Sequence, residues 1–470
     1  MDDNMYNYRE DSEMGDVVDR YEQMLRTEHQ YFFDVHEFEN IADHYLDDED
    51  YPHALEAIDF AIRQHPSATT LVLKKAQILA ESGKPGDGLN YIHKIERLEQ
   101  ANPDLFILKG AILTRLGKLD KAESAFRSAI NVTFGEKHEI LLDIAMTYEN
   151  VQQYQLALKY LVMAQELKAD KPNILFELAY CHERLNNYRQ AQDYYRKYLD
   201  IRPFSLNAWY NLGMLYYKIE DYKNAIDCFD FAIAINDKSS SAYLNKAGAL
   251  VNMEAYKEAT EVYMECLALD DQNPMIYTYI GECYEKLEDF DQAIDFYNKA
   301  LKLDEKFTEA WYGIGLCNLY KKKLSDSLYY LNKAISLDAE NPDFWFTLGN
   351  VYAGLGSFHD AVKAYARVEI LDPYDDEAWL LHAELEYNSS GAWKAIEILK
   401  DSYTYNAEVA RINYHLSAYY YLTGNRELSL NFFKKAFQLN SGNNHHAFKI
   451  CKDLACDPEI VSLLKKSNKK

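Results

Sequence analysis

Small and apolar residues return along this chain with a period of 34, and inside each period they fall at helical spacing. One small series runs Ala42, Ala76, Gly110, then after one extra residue Ala145, Ala179, Gly213, Ala247, Gly281, Gly315, Gly349, Ala383 and Ser417. A second, twelve residues later in each unit, runs from Ala54 and Gly88 through Ala225 and Ala293 to Ser429. Neither series admits a large side chain, so each marks a place where two helices approach closely. With the first small residue set as position 8, position 4 holds Trp209, Trp311, Trp345 and Trp379, four of the five tryptophans. Position 24 is usually aromatic, as at Phe126, Tyr195, Phe229, Tyr263, Tyr297, Tyr365 and Phe433. Seven of the ten prolines stand at position 32 or 1, where a residue that ends or begins a helix separates one unit from the next. The pattern predicts a helix over about positions 1–14, a short turn, and a second helix over about 15–28.

The units lie at 35–68, 69–102, 103–137, 138–171, 172–205, 206–239, 240–273, 274–307, 308–341, 342–375, 376–409 and 410–443. Unit 206–239 carries Trp209, Leu212, Gly213, Tyr216, Ala225, Phe229 and Ala232. On these residues the chain resembles the tetratricopeptide repeat family. The resemblance implies an all-α fold, a right-handed superhelical solenoid of about twelve 34-residue helix-turn-helix repeats over 35–443. Residues 1–34 read as an acidic N-terminal segment, disordered over 1–14 and then forming a capping helix from Val17, Val18, Tyr21, Met24 and Leu25. Residues 444–470 read as a C-terminal cap, one amphipathic helix over 447–466, followed by a basic tail. Two places depart from the period: the extra residue near Phe134-Gly135-Glu136-Lys137, and the unit with His382 and a Ser389-Ser390-Gly391 turn. Each is either a hinge or harmless drift.

Composition narrows the functional classes. A solenoid grows by stacking and needs no single large core, so 470 residues need not mean several domains. The formal charge is −25, and residues 1–50 hold seventeen acidic residues against Arg9, Arg20 and Arg26. That balance disfavours a nucleic-acid backbone or an anionic membrane surface as partner. No apolar run is long enough to span a bilayer, and the acidic N-terminus does not look like a signal peptide, which points to the cytoplasm. The seven cysteines form no C-x-x-C pair; Cys181, Cys283 and Cys317 share position 10 and read as reduced packing residues. His445, His446, Cys451 and Cys456 do not match a zinc spacing, so no metal is expected. No phosphate-binding loop, nucleophile elbow or H-E-x-x-H helix is present, so no catalytic residue and no cofactor are expected, and the chain reads as a non-enzyme.

In the family resembled, the first helix of each unit lines a concave groove that takes extended or helical peptides. The residues of that helix that vary between units therefore carry specificity. Position 5 is largely apolar, including Phe176, Tyr210, Tyr312 and Phe346, and serves either as ligand contact or as a seal against the next unit. Tyr180, Met214 and Tyr217 lie nearer the open face. Asn211 and Asn245 share position 6 and resemble a fragment of the asparagine ladder seen in some family members, a series that most other units break with Asp143, Glu177, Tyr279, Gly313 and Thr347. A clamp for acidic tails is excluded, because position 5 is almost wholly apolar and position 2 includes Asp104, Glu139, Glu309, Asp343 and Glu377; with Glu149, Glu183, Glu282 and Glu285 these make the face acidic. The expected partner is a protein or peptide of apolar and basic character. Competing readings are a structural subunit of a multi-solenoid complex, with a possible homodimer, and a peptide-responsive regulator.

Overall fold

The computed structural model describes residues 17–26 and 31–467. The acidic stretch 1–14 and the end of the basic tail lie outside the described residues. Among the described residues there are helices and no strand. The chain divides into two compact units, Met1–Asn236 and Asp237–Lys470, and between Val35 and Leu439 the helices pair as twelve hairpins, six in each.

The eighth hairpin shows how local sequence builds the unit. Its first helix, Pro274–Lys286, starts where the Asn273 side chain accepts from the Met275 amide at 3.1 Å and Pro274 supplies a backbone already set for helix. A turn through Leu287, Glu288 and Asp289 follows, with Glu288 left-handed at φ 61°. Asp289 then caps the second helix, Phe290–Leu303, by accepting from the Gln292 amide. The left-handed residue recurs at Glu49, Gly83, Gly117, Gln152, Asn186, Glu220, Glu254, Glu288, Lys322, Gly356, Gly391 and Gly424. Because this residue and its neighbours form the turn, the second helix starts about two residues later than the apolar pattern predicts. The turn is a backbone event, and apolar spacing does not register it.

The small series at position 8 meets the aromatic series at position 24. A Cβ placed on Gly213 would lie 2.7 Å from the Phe229 ring, and one on Gly349 2.6 Å from the Tyr365 ring, closer than real Cβ atoms come. The position-4 tryptophans fasten the linkers between units. Trp209, Trp311, Trp345 and Trp379 each donate the indole N–H to a backbone carbonyl six residues earlier, at 2.8 to 3.1 Å. Both devices repeat because each hairpin must solve the same packing problem.

Residues 17–26 are helical and bury Val18, Tyr21 and Met24 against Phe33, Phe38 and Ile41, covering the apolar side of the first hairpin. At the other end the single amphipathic helix expected over 447–466 is broken. Helix His445–Ile450 is followed by a 3-10 turn, Lys452–Cys456, and a new helix, Pro458–Ser467. The first helix ends where Cys451 turns extended (φ −132°, ψ 100°), and Pro458, with no amide hydrogen to donate, stands at the first position of the next one. Arg426 grips the turn by donating to both oxygens of Asp457, at 2.6 and 2.8 Å. Cys451 is buried beside Ala447, Leu454 and Phe433 in one apolar cluster.

The two irregular units behave differently. In the eleventh, helix Asp376–Ser390 absorbs Ser389 and Ser390 as its last turn, and Gly391 at φ 90° makes the left-handed turn one residue late. The next turn, at Gly424, restores the count. His382 replaces the usual leucine and forms a 2.7 Å hydrogen bond with Glu369. At the third unit the extra residue falls in the linker before helix Lys137–Asn150.

Candidate partner-binding face

In the first unit the relevant side chains stand on helices Lys137–Asn150, Pro172–Arg184 and Leu206–Lys218, each the first of its hairpin. Phe176, Tyr180, Tyr210, Asn211, Met214 and Tyr217 are all half-buried, neither sealed in the core nor standing free in water. Phe176 packs edge-on against Tyr195 and Tyr198 of its own hairpin, with ring centroids 5.7 and 5.3 Å away. Tyr210 leans on Phe229 at 6.0 Å. Tyr180 meets Tyr154 edge-on at 6.2 Å, and Arg184 donates to the Tyr154 hydroxyl at 3.2 Å. Tyr217 meets Tyr222 edge-on at 5.5 Å. Asn211 stands beside the Tyr195 hydroxyl, which itself donates to Glu183 at 3.2 Å.

In the second unit Asn245 donates to the Ser241 carbonyl of its own helix at 2.9 Å. Tyr312 stacks on Phe344 of the next hairpin at 4.8 Å, and its hydroxyl shares a 3.1 Å hydrogen bond with Thr347. Phe346 lies 6.0 Å from Tyr365. The structure thus gathers the central residues within the first unit and leaves Asn245, Tyr312 and Phe346 on the second. At position 5, Phe176, Tyr210 and Phe346 lie on their own second helix, and Tyr312 reaches the next unit.

The strongest electrostatic feature is carboxylate. Glu149 and Glu177 come from successive hairpins: burial raises both, and the charge of Glu149 raises Glu177 further. Cys181 donates to the same Glu149 carboxylate at 3.2 Å, and burial pushes its thiol up, so it is a poor nucleophile. Glu183 is also raised by burial, partly offset by the Tyr195 hydroxyl. A second acidic group occupies the other unit. Glu282 is pushed up to about 7, first by desolvation and then by Glu285 and Glu309, although one side of it is open to water. Surrounding protein displaces much of its solvent without covering it. Glu285 is raised by burial and accepts from the Tyr297 hydroxyl at 3.2 Å.

The sequence signalled Glu149, Glu183, Glu282 and Glu285 as acidic positions on this face. Glu177 entered only as a break in the asparagine series, and its pairing with Glu149 depends on two hairpins meeting. The coupling of position 24 to position 12 also required the structure: Tyr195 reaches Glu183 and Tyr297 reaches Glu285 by the same bond.

Models of the tetratricopeptide repeat match residues 40–90, 172–205, 206–239, 240–273, 274–307 and 331–385, together about half of the chain. The chain belongs to the tetratricopeptide repeat family. Its repeats make it a protein-interaction scaffold, in a family that binds proteins or peptides and is generally non-catalytic. Among solved structures it is similar to YrrB, described as a TPR protein with an unusual peptide-binding site (22% identity, 41% of this chain and 99% of that one, TM-score 0.34). It is also similar to the Cut9–Hcn1 hetero-tetramer of the APC/C (12% identity, 90% and 96% covered, TM-score 0.39). A third similar structure is pilF of Pseudomonas aeruginosa (18% identity, 42% and 90% covered, TM-score 0.38). No curated protein matches the sequence. Among the described residues, no helix is long and apolar enough to cross a membrane.

Proposed function

We propose that the first-helix face of the unit up to Asn236 binds a segment of a partner protein that presents apolar anchors together with a basic side chain. The observation that carries this reading is the pair Glu149 and Glu177, two carboxyls from successive hairpins that burial raises, Glu177 further by the charge of Glu149. A lysine or arginine brought to this pair would favour the ionised carboxylates and gain a charge-assisted hydrogen bond. Half-buried Tyr180, Met214 and Tyr217 supply ring and thioether area on the same set of helices. The rigid helices are already in place, so binding orders the ligand far more than the scaffold. A cytoplasmic setting fits the seven free cysteines, six of them buried.

The test uses a labelled peptide containing Lys, Leu and Tyr, with a Glu-for-Lys version as control, and follows anisotropy with the full chain. Affinity for the basic peptide should rise from pH 5.5 to pH 8, because binding releases protons from the carboxylates. Tyr180→Ala with Met214→Ala and Tyr217→Ala should weaken it by at least about tenfold, some 1.4 kcal/mol, with helicity unchanged. Equal affinity for both peptides, or an unaffected triple variant, would remove the basis for the reading.

A further inference from the structure

The extra residue that interrupts the repeat before helix Lys137–Asn150 places an acidic and imidazole group where other units have only a linker. Glu136 stands at the N-cap of that helix, yet its side chain makes no capping hydrogen bond. His138, in the first turn, occupies the position that proline takes in the units beginning at Pro103, Pro172, Pro274 and Pro342. Its side chain is only 5% exposed, and Nε2 has no hydrogen-bond partner. Nε2 lies 3.8 Å from Glu136 Oε2 and 4.0 Å from Glu139 Oε1, beyond hydrogen-bond reach but facing both carboxylates. The three ligand atoms all fall within 4.8 Å of one another. Atoms bound about 2.1 Å from a tetrahedral ion stand roughly 3.4 Å apart, so small side-chain rotations close this set. Both carboxylates are well exposed and can make those rotations without disturbing the core.

We propose that Glu136, His138 and Glu139 form a binding site for one divalent transition cation of the zinc type, with water completing its shell. One imidazole nitrogen and two carboxylate oxygens suit a borderline cation; magnesium prefers oxygen ligands alone and keeps its waters. The cation would fasten the irregular linker between the third and fourth hairpins. This site is separate from the proposed partner-binding face and stands or falls independently of it.

The test is calorimetric titration of the metal-stripped full chain with zinc chloride, and with magnesium chloride as control. One equivalent of zinc should bind. His138→Gln and the pair Glu136→Gln with Glu139→Gln should each weaken it by at least about tenfold, while His445→Gln with His446→Gln leaves it unchanged. Zinc should also raise the melting temperature of the wild type and not of the carboxylate variant. The proposal is overturned if the wild type takes up no zinc, if the carboxylate variant keeps full affinity, if the His445/His446 variant loses it, or if magnesium binds equally well. Should His138→Gln fail to fold, the exposed carboxylate pair decides the matter alone.

Discussion

Replacing Gly281 by alanine would test the packing that underlies the whole repeat. A Cβ at Gly281 would sit 2.7 Å from Tyr297 Cε1, and one at Gly313 in the next hairpin 2.4 Å from Cζ, so the ring is confined from two helices. Tyr297 is 1% exposed, and its hydroxyl donates to Glu285 at 3.2 Å. The ring cannot withdraw without straining a closed core or giving up that bond. Alanine gains up to about 1 kcal/mol of helix propensity over glycine. Overpacking costs about 1–3 kcal/mol, and loss of the hydroxyl bond about 1 kcal/mol more. The expected net destabilisation is therefore about 1–3 kcal/mol. Urea unfolding followed by circular dichroism measures it as a lower midpoint with an unchanged slope. Gly354→Ala is the control, since its Cβ would meet only the flexible Leu324 side chain at 3.2 Å; it should be neutral or slightly stabilising. Tyr297→Leu in the Gly281→Ala background should recover part of the loss. If Gly281→Ala is as stable as the wild type or more so, the small-residue period does not report close contact, and the reasoning fails.

Three further outcomes are expected. The Tyr21 hydroxyl is buried without a partner, so Tyr21→Phe should stabilise the first hairpin by about 1 kcal/mol, read as a higher melting temperature; a lower one would contradict the packing described. Glu282 has a folded value of about 7, above its ordinary 4.5, so its contribution is full below pH 4.5 and lost as pH rises through 7. Glu282→Gln should therefore raise the urea midpoint relative to wild type at pH 8 and leave it alone at pH 4, by no more than about 1 kcal/mol after screening at this open position. A benefit at pH 4 instead would reverse the sign of the argument. Glu254 is exposed and left-handed at φ 60°, so Glu254→Gly should stabilise by up to about 1 kcal/mol, and a loss in thermal melting would show that its side chain contributes to the turn.

The helical hairpins and their period were legible because close packing makes the same steric demand every 34 residues, and residue size answers it directly. Position 8 stays small because position 24 is a ring, and both are visible as letters. The turn residue was not legible. The left-handed backbone is met by glycine at Gly83 but by Glu220, Asn186 or Lys322 elsewhere, so no common side chain marks it. The C-terminal cap misled for a related reason: apolar spacing continues across Cys451 to Cys456, while the helical backbone does not.

The candidate face divides in the same way. Its apolar and acidic character could be read from positions 5, 6, 9 and 12 of each unit, since helical geometry alone groups them. The pairing of Glu149 with Glu177, the tie from Tyr195 to Glu183, and the orphaned His138 nitrogen between two carboxylates could not. The first two depend on side chains from separate helices meeting, and the third on the surrounding helices burying His138 while leaving its two neighbouring carboxylates in water. The sequence by itself determined the repeat, the hairpin and the spacing of its contacts, because those are local demands repeated many times. Only the tertiary structure decided which carboxylates burial pushes up and which polar atoms lack partners, because desolvation belongs to the assembled helices and not to any one of them.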